Sequence, residues 1–219
     1  MRIVAGRFRR RKLETRPGLV TRPISDFVKE SLFEQIQHRV IDKRVADIFA
    51  GTGTIGLEAL SRGATGAIFI EQDERAFEFL QKNIAALKVQ DETFCWQTDV
   101  FRCSFRPKHV EHLLPVDVVF LDPPYKLVES IAPGSPLFKA VERIARNDFT
   151  APDALLVFRT PERATFTLPD CWRPSEELPQ IEFKTMTVYL FEKSAAGGEA
   201  EAAAATGDAR IASPVELAE

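Results

Sequence analysis

Val45-Ala-Asp-Ile-Phe-Ala-Gly-Thr-Gly-Thr-Ile-Gly56 is the stretch on which the fold turns. Its apolar start, Val45 to Phe49, lies between charged residues and glycine, as a buried strand of a parallel sheet does. Gly51, Gly53 and Gly56 then follow in G-x-G-x-x-G spacing, and Leu57-Glu58-Ala59-Leu60 reads as helix. Glycines suit a sharp turn whose backbone a ligand approaches closely, and the amides at the following helix start favour a polar or anionic group. Glu71 lies twenty residues past Gly51, at the end of a second apolar run. A carboxylate there can accept hydrogen bonds from ribose hydroxyls. The spacing predicts a nucleotide-type cofactor site rather than a bare strand–helix turn.

Outward from this stretch the same alternation continues. Strands are predicted at 45–49, 67–71, 93–98, 116–121 and 154–159, with helices at 54–62, 74–87 and 136–146. The segment from Asp99 through Leu114 reads as partly helical. Apolar runs near 164–168 and 181–192 suggest an antiparallel hairpin closing the sheet. This is a doubly wound α/β domain, assigned to residues 45–193. Residues 1–44 form a basic extension: strand-like pieces at 2–6 and 12–15 around Arg7-Phe-Arg-Arg-Arg-Lys12, then a helix from Phe27 to Ile36 capped by Ser25 or Asp26. Residues 194–219 are rich in alanine and acids with no packing pattern, and disorder is expected there.

The net charge of −3 conceals an asymmetry. Residues 1–22 hold eight basic side chains against Glu14 alone, whereas the tail holds five acids against Arg210. Arg7, Arg9, Arg10, Arg11, Lys12 and Arg22 are the candidate contacts for a phosphate backbone, with Phe8 available to pack or stack. A solvated charge run is the plainer account, but crowded like charges are costly unless a polyanion neutralises them. Three cysteines without C-x-x-C pairing suit a reduced cytoplasmic protein, and no run is long enough for a membrane span. His109 and His112 lack a third ligand nearby, so no metal is expected.

Asp122-Pro-Pro-Tyr125 is the second chemical signal. It follows a buried strand, at the carboxyl edge where ligands bind in open α/β sheets. Pro123 and Pro124 remove two N–H donors and stiffen the turn. The corner then offers the Asp122 carboxylate, the Pro123 carbonyl and the Tyr125 ring. An exocyclic amine on a stacked planar base fits it: two N–H donors, two acceptors and an aromatic face. Fixing both protons favours the pyramidal nitrogen that attacks a methyl group beside a cationic sulfonium donor.

Taken together, Asp47-Ile-Phe-Ala-Gly-Thr-Gly53 resembles the first motif of S-adenosylmethionine-dependent methyltransferases, and Asp122-Pro-Pro-Tyr125 that of amino-methylating enzymes. Arg2-Ile-Val-Ala-Gly-Arg-Phe, Thr21-Arg-Pro-Ile-Ser-Asp26 and Phe49 through Ala64 resemble the bacterial 16S rRNA guanine-N2 methyltransferase (RsmD-like) family over roughly residues 1–130. The resemblance implies a seven-stranded Rossmann-like methyltransferase sheet with S-adenosyl-L-methionine as cofactor. It also implies 16S rRNA, within an assembling 30S subunit, as partner of a cytoplasmic monomer. On matching positions, Asp47, Phe49, Gly51 and Gly53 face the methionine part of the donor, Glu71 its ribose and Asp99 its adenine. Asp122, Pro123, Pro124 and Tyr125 hold the target base, and Thr21, Arg22 and Asp26 belong to an entry loop. Lys29 and Arg159 depart from the family pattern, and neither is expected to touch the chemistry. The rivals are adenine-N6 methylation of DNA or RNA, an NAD-type dinucleotide enzyme, and a non-catalytic RNA-binding module. The last two leave one or other motif without use.

Overall fold

The computed structural model describes residues 1–15 and 24–194. Arg22 and Thr21 of the expected entry loop, and the tail beyond Ser194, lie outside the described residues. The elements in chain order are α1 (Asp26–Val40), β1 (Arg44–Ile48), α2 (Thr54–Ser61), β2 (Gly66–Glu71), α3 (Glu74–Leu87), β3 (Thr93–Gln97) and β4 (Val116–Leu121). There follow α4 (Tyr125–Val128), α5 (Pro136–Ile144), β5 (Thr150–Pro161), β6 (Trp172–Pro174), β7 (Gln180–Phe183) and β8 (Met186–Lys193).

The sheet runs β3-β2-β1-β4-β5-β8, and the first five strands are mutually parallel. β8 returns antiparallel to β5. Its far edge is shared: Met186 to Tyr189 pair with β7, and Phe191 to Lys193 pair with β6. Eight strands therefore fill seven positions, which is the seven-stranded layout expected. The order reverses direction between β1 and β4, so a crevice opens at the carboxyl ends of those two strands.

Period-two alternation splits the core into two layers. Val118 and Phe120 join one apolar cluster with α1, α2 and α3, while Val119 and Leu121 join the other with α5. α1 begins where Ser25 Oγ accepts the Val28 amide proton, and it buries Val28, Leu32, Phe33, Ile36 and Val40 on one stripe. It runs one turn beyond the predicted end because Val40 continues that stripe. The arm before it is a hairpin with one antiparallel bridge, Arg2 to Lys12, supported by Ile3 N to Arg11 O at 3.0 Å and Leu13 N to Met1 O at 2.9 Å.

Two expectations need correction. Residues 164–168 form no strand; their alternation puts Ala164, Phe166 and Leu168 against the sheet face, with Phe166 meeting Phe158 and Tyr189 at 5.0 Å each. The edge hairpin is instead β7 and β8, turning through Lys184-Thr185. Between Asp99 and Leu114 only Glu111–Leu113 makes a helical turn. The segment packs through Val100, Cys103, Phe105 and Val110 without helical spacing.

Candidate active site

The loop after β1 is built by backbone conformation. Phe49 has φ +63, a left-handed geometry that costs a bulky side chain about 1–3 kcal/mol. Gly51 follows at φ +56, and a Cβ there would project into open space, as expected of a backbone left bare for a ligand. At Gly53, φ is +80, and a Cβ would stand 2.4 Å from Leu80 Cδ1, so the turn closes against α3 only with glycine.

Two carboxylates, Asp47 and Glu71, hold this loop, and a third, Asp99, shapes the turn after β3 beside it. Asp47 is 1% exposed and its Oδ2 accepts the Gly56 amide proton at 2.9 Å. Burial pushes its carboxyl well above the usual range, the Gly56 amide pulls against that, and Asp122 and Glu71 add repulsion. Glu71 Oε2 accepts from Gly51 N at 2.7 Å, while its Oε1 accepts from Gln72 N and Asp73 N, both at 2.8 Å. Asp99 Oδ1 accepts from Phe101 N at 2.9 Å. The Phe101 ring meets Phe49 edge-on at 6.3 Å, which brings the turn after β3 to the glycine loop. Asp47, Phe49, Gly51, Gly53, Glu71 and Asp99 thus converge around one end of the crevice. Crowded negative charge at such a place suits a ligand that carries a cation.

Asp122 lies directly beyond β4. Leu121 pairs in register with Phe158 of β5, so the next residues along the two parallel strands, Asp122 and Arg159, are neighbours. Arg159 Nε donates to Asp122 Oδ1 at 2.6 Å, with side-chain exposures of 11% and 16%. The guanidinium carbon lies 6.0 Å from the centre of the Tyr125 ring. Burial raises the Asp122 carboxyl above its ordinary value, and Arg159 opposes that rise by charge and by hydrogen bond. Ile24, Leu32, Ile55, Val157 and Val188 give the corner apolar walls. Among the described residues no N–H donates to the Pro123 carbonyl, whereas the Pro124 carbonyl accepts from Leu127 N at 2.8 Å and starts α4. The corner therefore keeps one free carbonyl, one carboxylate and one ring.

Arg159 is a correction. Its basic charge at the end of β5 was expected to stay clear of the chemistry, yet it is bonded to the principal acceptor of the corner. Lys29 does stay clear. It is fully buried under the arm, with Glu58 at 3.6 Å, Asp26 at 3.7 Å and the Arg2 carbonyl as partners. Asp26, expected in the entry loop, pairs with Arg2 at 2.6 Å, and it is Ile24 from that region that lines the crevice.

The basic arm is not brought to Asp122. Arg7 pairs with Glu92, just before β3, and Arg11 Nη2 donates to Ala86 O at 2.9 Å near the end of α3. The hairpin tip therefore sits at the amino edge of the sheet. Strands of five or six residues put it roughly 15–20 Å from the carboxyl edge. Arg9, Arg10 and Lys12 are exposed and make no ion pair among the described residues. The ends of the arm do reach the glycine loop. Glu14 N donates to Asn83 Oδ1 at 2.7 Å, and Asn83 Nδ2 donates to the Glu14 and Thr52 carbonyls, both at 3.0 Å. Asn83 was not singled out in the sequence; a buried asparagine on an otherwise apolar helical stripe is the signal it left.

Residues 1–185 match the family model described as Conserved hypothetical protein 95. Ribosomal RNA small subunit methyltransferase D of Haemophilus influenzae is 34% identical over 179 residues, covering 78% of this chain and 84% of that protein. The solved structure of yhhF from Escherichia coli is 30% identical, with a TM-score of 0.70 over 90% of this chain and 99% of its own. At 18% identity, an RNA methyltransferase from Salinibacter ruber, solved with S-adenosyl-L-homocysteine, shares the fold: its TM-score is 0.58 over 82% of this chain and 98% of its own.

Proposed function

The chain belongs to the Conserved hypothetical protein 95 family, and from that membership we propose the function and the residues that carry it. It is a methyltransferase of small-subunit ribosomal RNA that uses S-adenosyl-L-methionine. Our proposal within that activity is transfer to the exocyclic N2 amine of one guanine. The observation that carries it is the acceptor pair at the carboxyl edge, the Asp122 carboxylate and the free Pro123 carbonyl, beside the bare backbone of Gly51.

The residues present fit the donor. Gly51 opens onto space that a side chain would fill, and Glu71 and Asp99 are acceptors at the ends of β2 and β3. Glu71 would take the ribose hydroxyls and Asp99 the adenine amine, with Asp47 and the glycine turn toward the methionine part. When bound, the donor supplies a methyl group on a positively charged sulfur. Asp122 and Pro123 O accept the two N–H groups of the target amine, and Tyr125 stacks on the base. That geometry aims the nitrogen lone pair out of the plane of the ring. With the donor bound, the amine would take its methyl group from sulfur, and the proton released from nitrogen would leave by way of Asp122 to water. Preorganised negative charge at this point carries the rate, rather than a strong base.

The arm supplies a second RNA contact far from the chemistry, which suits a large folded substrate such as an assembling subunit. A monomer working in the cytoplasm accords with this reading, and among the described residues no helix is long and apolar enough to cross a membrane. The test is transfer of labelled methyl to small-subunit rRNA, with Asp122→Ala as control. The native chain should label that RNA in preference to large-subunit rRNA and DNA. Asp122→Ala should lose at least about 100-fold in kcat while still binding the donor. Retained turnover by that variant would overturn the role given to Asp122.

A further inference from the structure

We propose that Arg159 is a positioning residue for the methyl-accepting amine: its guanidinium holds the Asp122 carboxylate ionised and fixed in the target-base corner. The inference rests on the proposed role of Asp122 and gives that role a charge state.

The geometry is specific. Asp122 sits among Ile24, Leu32, Ile55, Val157 and Val188, an apolar surround that disfavours a lone carboxylate. The groups that face it are few. Among the described residues, Arg159 comes from β5 at 2.6 Å, the Tyr125 ring from α4, and from β1 Asp47, whose own carboxyl is made hard to ionise by burial. The walls contributed by α1, α2 and β8 carry no charge. Among the described residues Arg159 is thus the cation that offsets burial. It spends Nε on Asp122, and among the described residues its buried Nη1 has no partner. The pairing also fixes which oxygen is occupied. Oδ1 is held by Nε, and no donor among the described residues reaches Oδ2, so that oxygen is left for the amine.

The consequence has a sign. Burial raises the Asp122 carboxyl and Arg159 lowers it. Without Arg159 the first effect stands alone, so a higher pH is needed to ionise Asp122. The ionised, amine-accepting form is then lost at a higher pH as acid is added.

Two measurements on the same variants test this. The first is carbon-13 NMR of the aspartate carboxyl groups across pH in the native chain, Arg159→Lys and Arg159→Met, with Asp122→Asn identifying the resonance. The second is the pH profile of kcat/KM with undermethylated small ribosomal subunits. In Arg159→Met the Asp122 resonance should titrate at least about one unit higher than in the native chain. The acid limb of kcat/KM should move by the same amount, with activity recovering toward alkaline pH. Arg159→Lys should keep both midpoints within about half a unit, at reduced kcat because an ammonium does not reproduce the guanidinium geometry. Donor affinity should not change. An Asp122 midpoint that is the same in native and Arg159→Met chains would overturn the proposal. So would a rate that falls equally at every pH. Absence of turnover by the native chain would count against the functional reading, and the resonance would still decide the pairing.

Discussion

Glu71 Oε2 accepts the Gly51 amide proton at 2.7 Å, tying the end of β2 to the loop that follows β1. The same carboxylate caps Gln72 N and Asp73 N with its other oxygen. One side chain therefore shapes the glycine turn, and in the proposed function it also takes the ribose of the donor. Glu71→Ala should weaken binding of S-adenosyl-L-homocysteine by about 10- to 100-fold, the worth of a charged hydrogen bond or two. Isothermal titration calorimetry measures this directly, and unchanged affinity would remove Glu71 from the donor site.

Asp47 makes a different kind of statement, because burial raises its carboxyl instead of lowering it. A group whose native value lies above its unfolded value binds a proton more readily when folded. Stability therefore falls as pH rises from the unfolded value, about 3.9, through the raised native one, and stays low above it. Asp47→Asn should erase that slope. Urea unfolding from pH 5 to 9 should show the variant gaining on the native chain as pH rises, while its donor affinity drops. A stability difference independent of pH would contradict the assignment.

The arm carries a prediction about salt. Arg9 and Arg10 are exposed at the tip of the hairpin, remote from Asp122, and Lys12 is exposed further along the same arm, paired with Arg2 in the antiparallel bridge. Replacing all three with alanine should weaken RNA binding and flatten the plot of log affinity against log salt by about 0.7–0.9 for each phosphate no longer neutralised. The kcat at saturating substrate should hold. An unaltered slope in a filter-binding or fluorescence titration would show that the RNA lies elsewhere.

Glu58 is where the arm is fastened. Its carboxylate is fully buried and accepts Val4 N at 2.8 Å, Ala5 N at 3.0 Å and Arg62 Nε at 2.8 Å, with Lys29 at 3.6 Å. Burial lowers the Lys29 ammonium, and Glu58 followed by Asp26 pulls it back. Glu58→Ala leaves Arg62 buried without its anion and Lys29 with only Asp26, and should cost about 3–5 kcal/mol in urea unfolding. A loss near zero would mean that water takes the place of the carboxylate.

The sequence was most legible where the controlling chemistry is local. α3 spans Glu74–Leu87 as predicted because Asp73 caps it and its apolar stripe is regular. β4 ends at Leu121 as predicted because Asp122-Pro-Pro stops a ladder. Glu71 beside Gly51 was readable from a twenty-residue spacing that a βαβ unit imposes. Arg159 was not readable in the same way. Its contact with Asp122 depends on β4 and β5 being neighbours in register across 37 residues, with a bulge between Val116 and Val118. Strand ends can be read one at a time, but which ends lie side by side is a property of the sheet order. The run at 164–168 failed for a related reason. Alternation reports that one face is buried, and Phe166 buries it against side chains rather than beside another strand.

The central claim is that the Asp122 and Pro123 acceptors present a guanine amine of small-subunit rRNA to a methyl donor. Mass spectrometry of nucleosides tests it most directly, after undermethylated small subunits, free rRNA and DNA are incubated with the protein and labelled S-adenosyl-L-methionine. The account predicts label in N2-methylguanosine from small-subunit rRNA, lost in Asp122→Ala. Label in N6-methyladenine, with none in N2-methylguanosine, would contradict it.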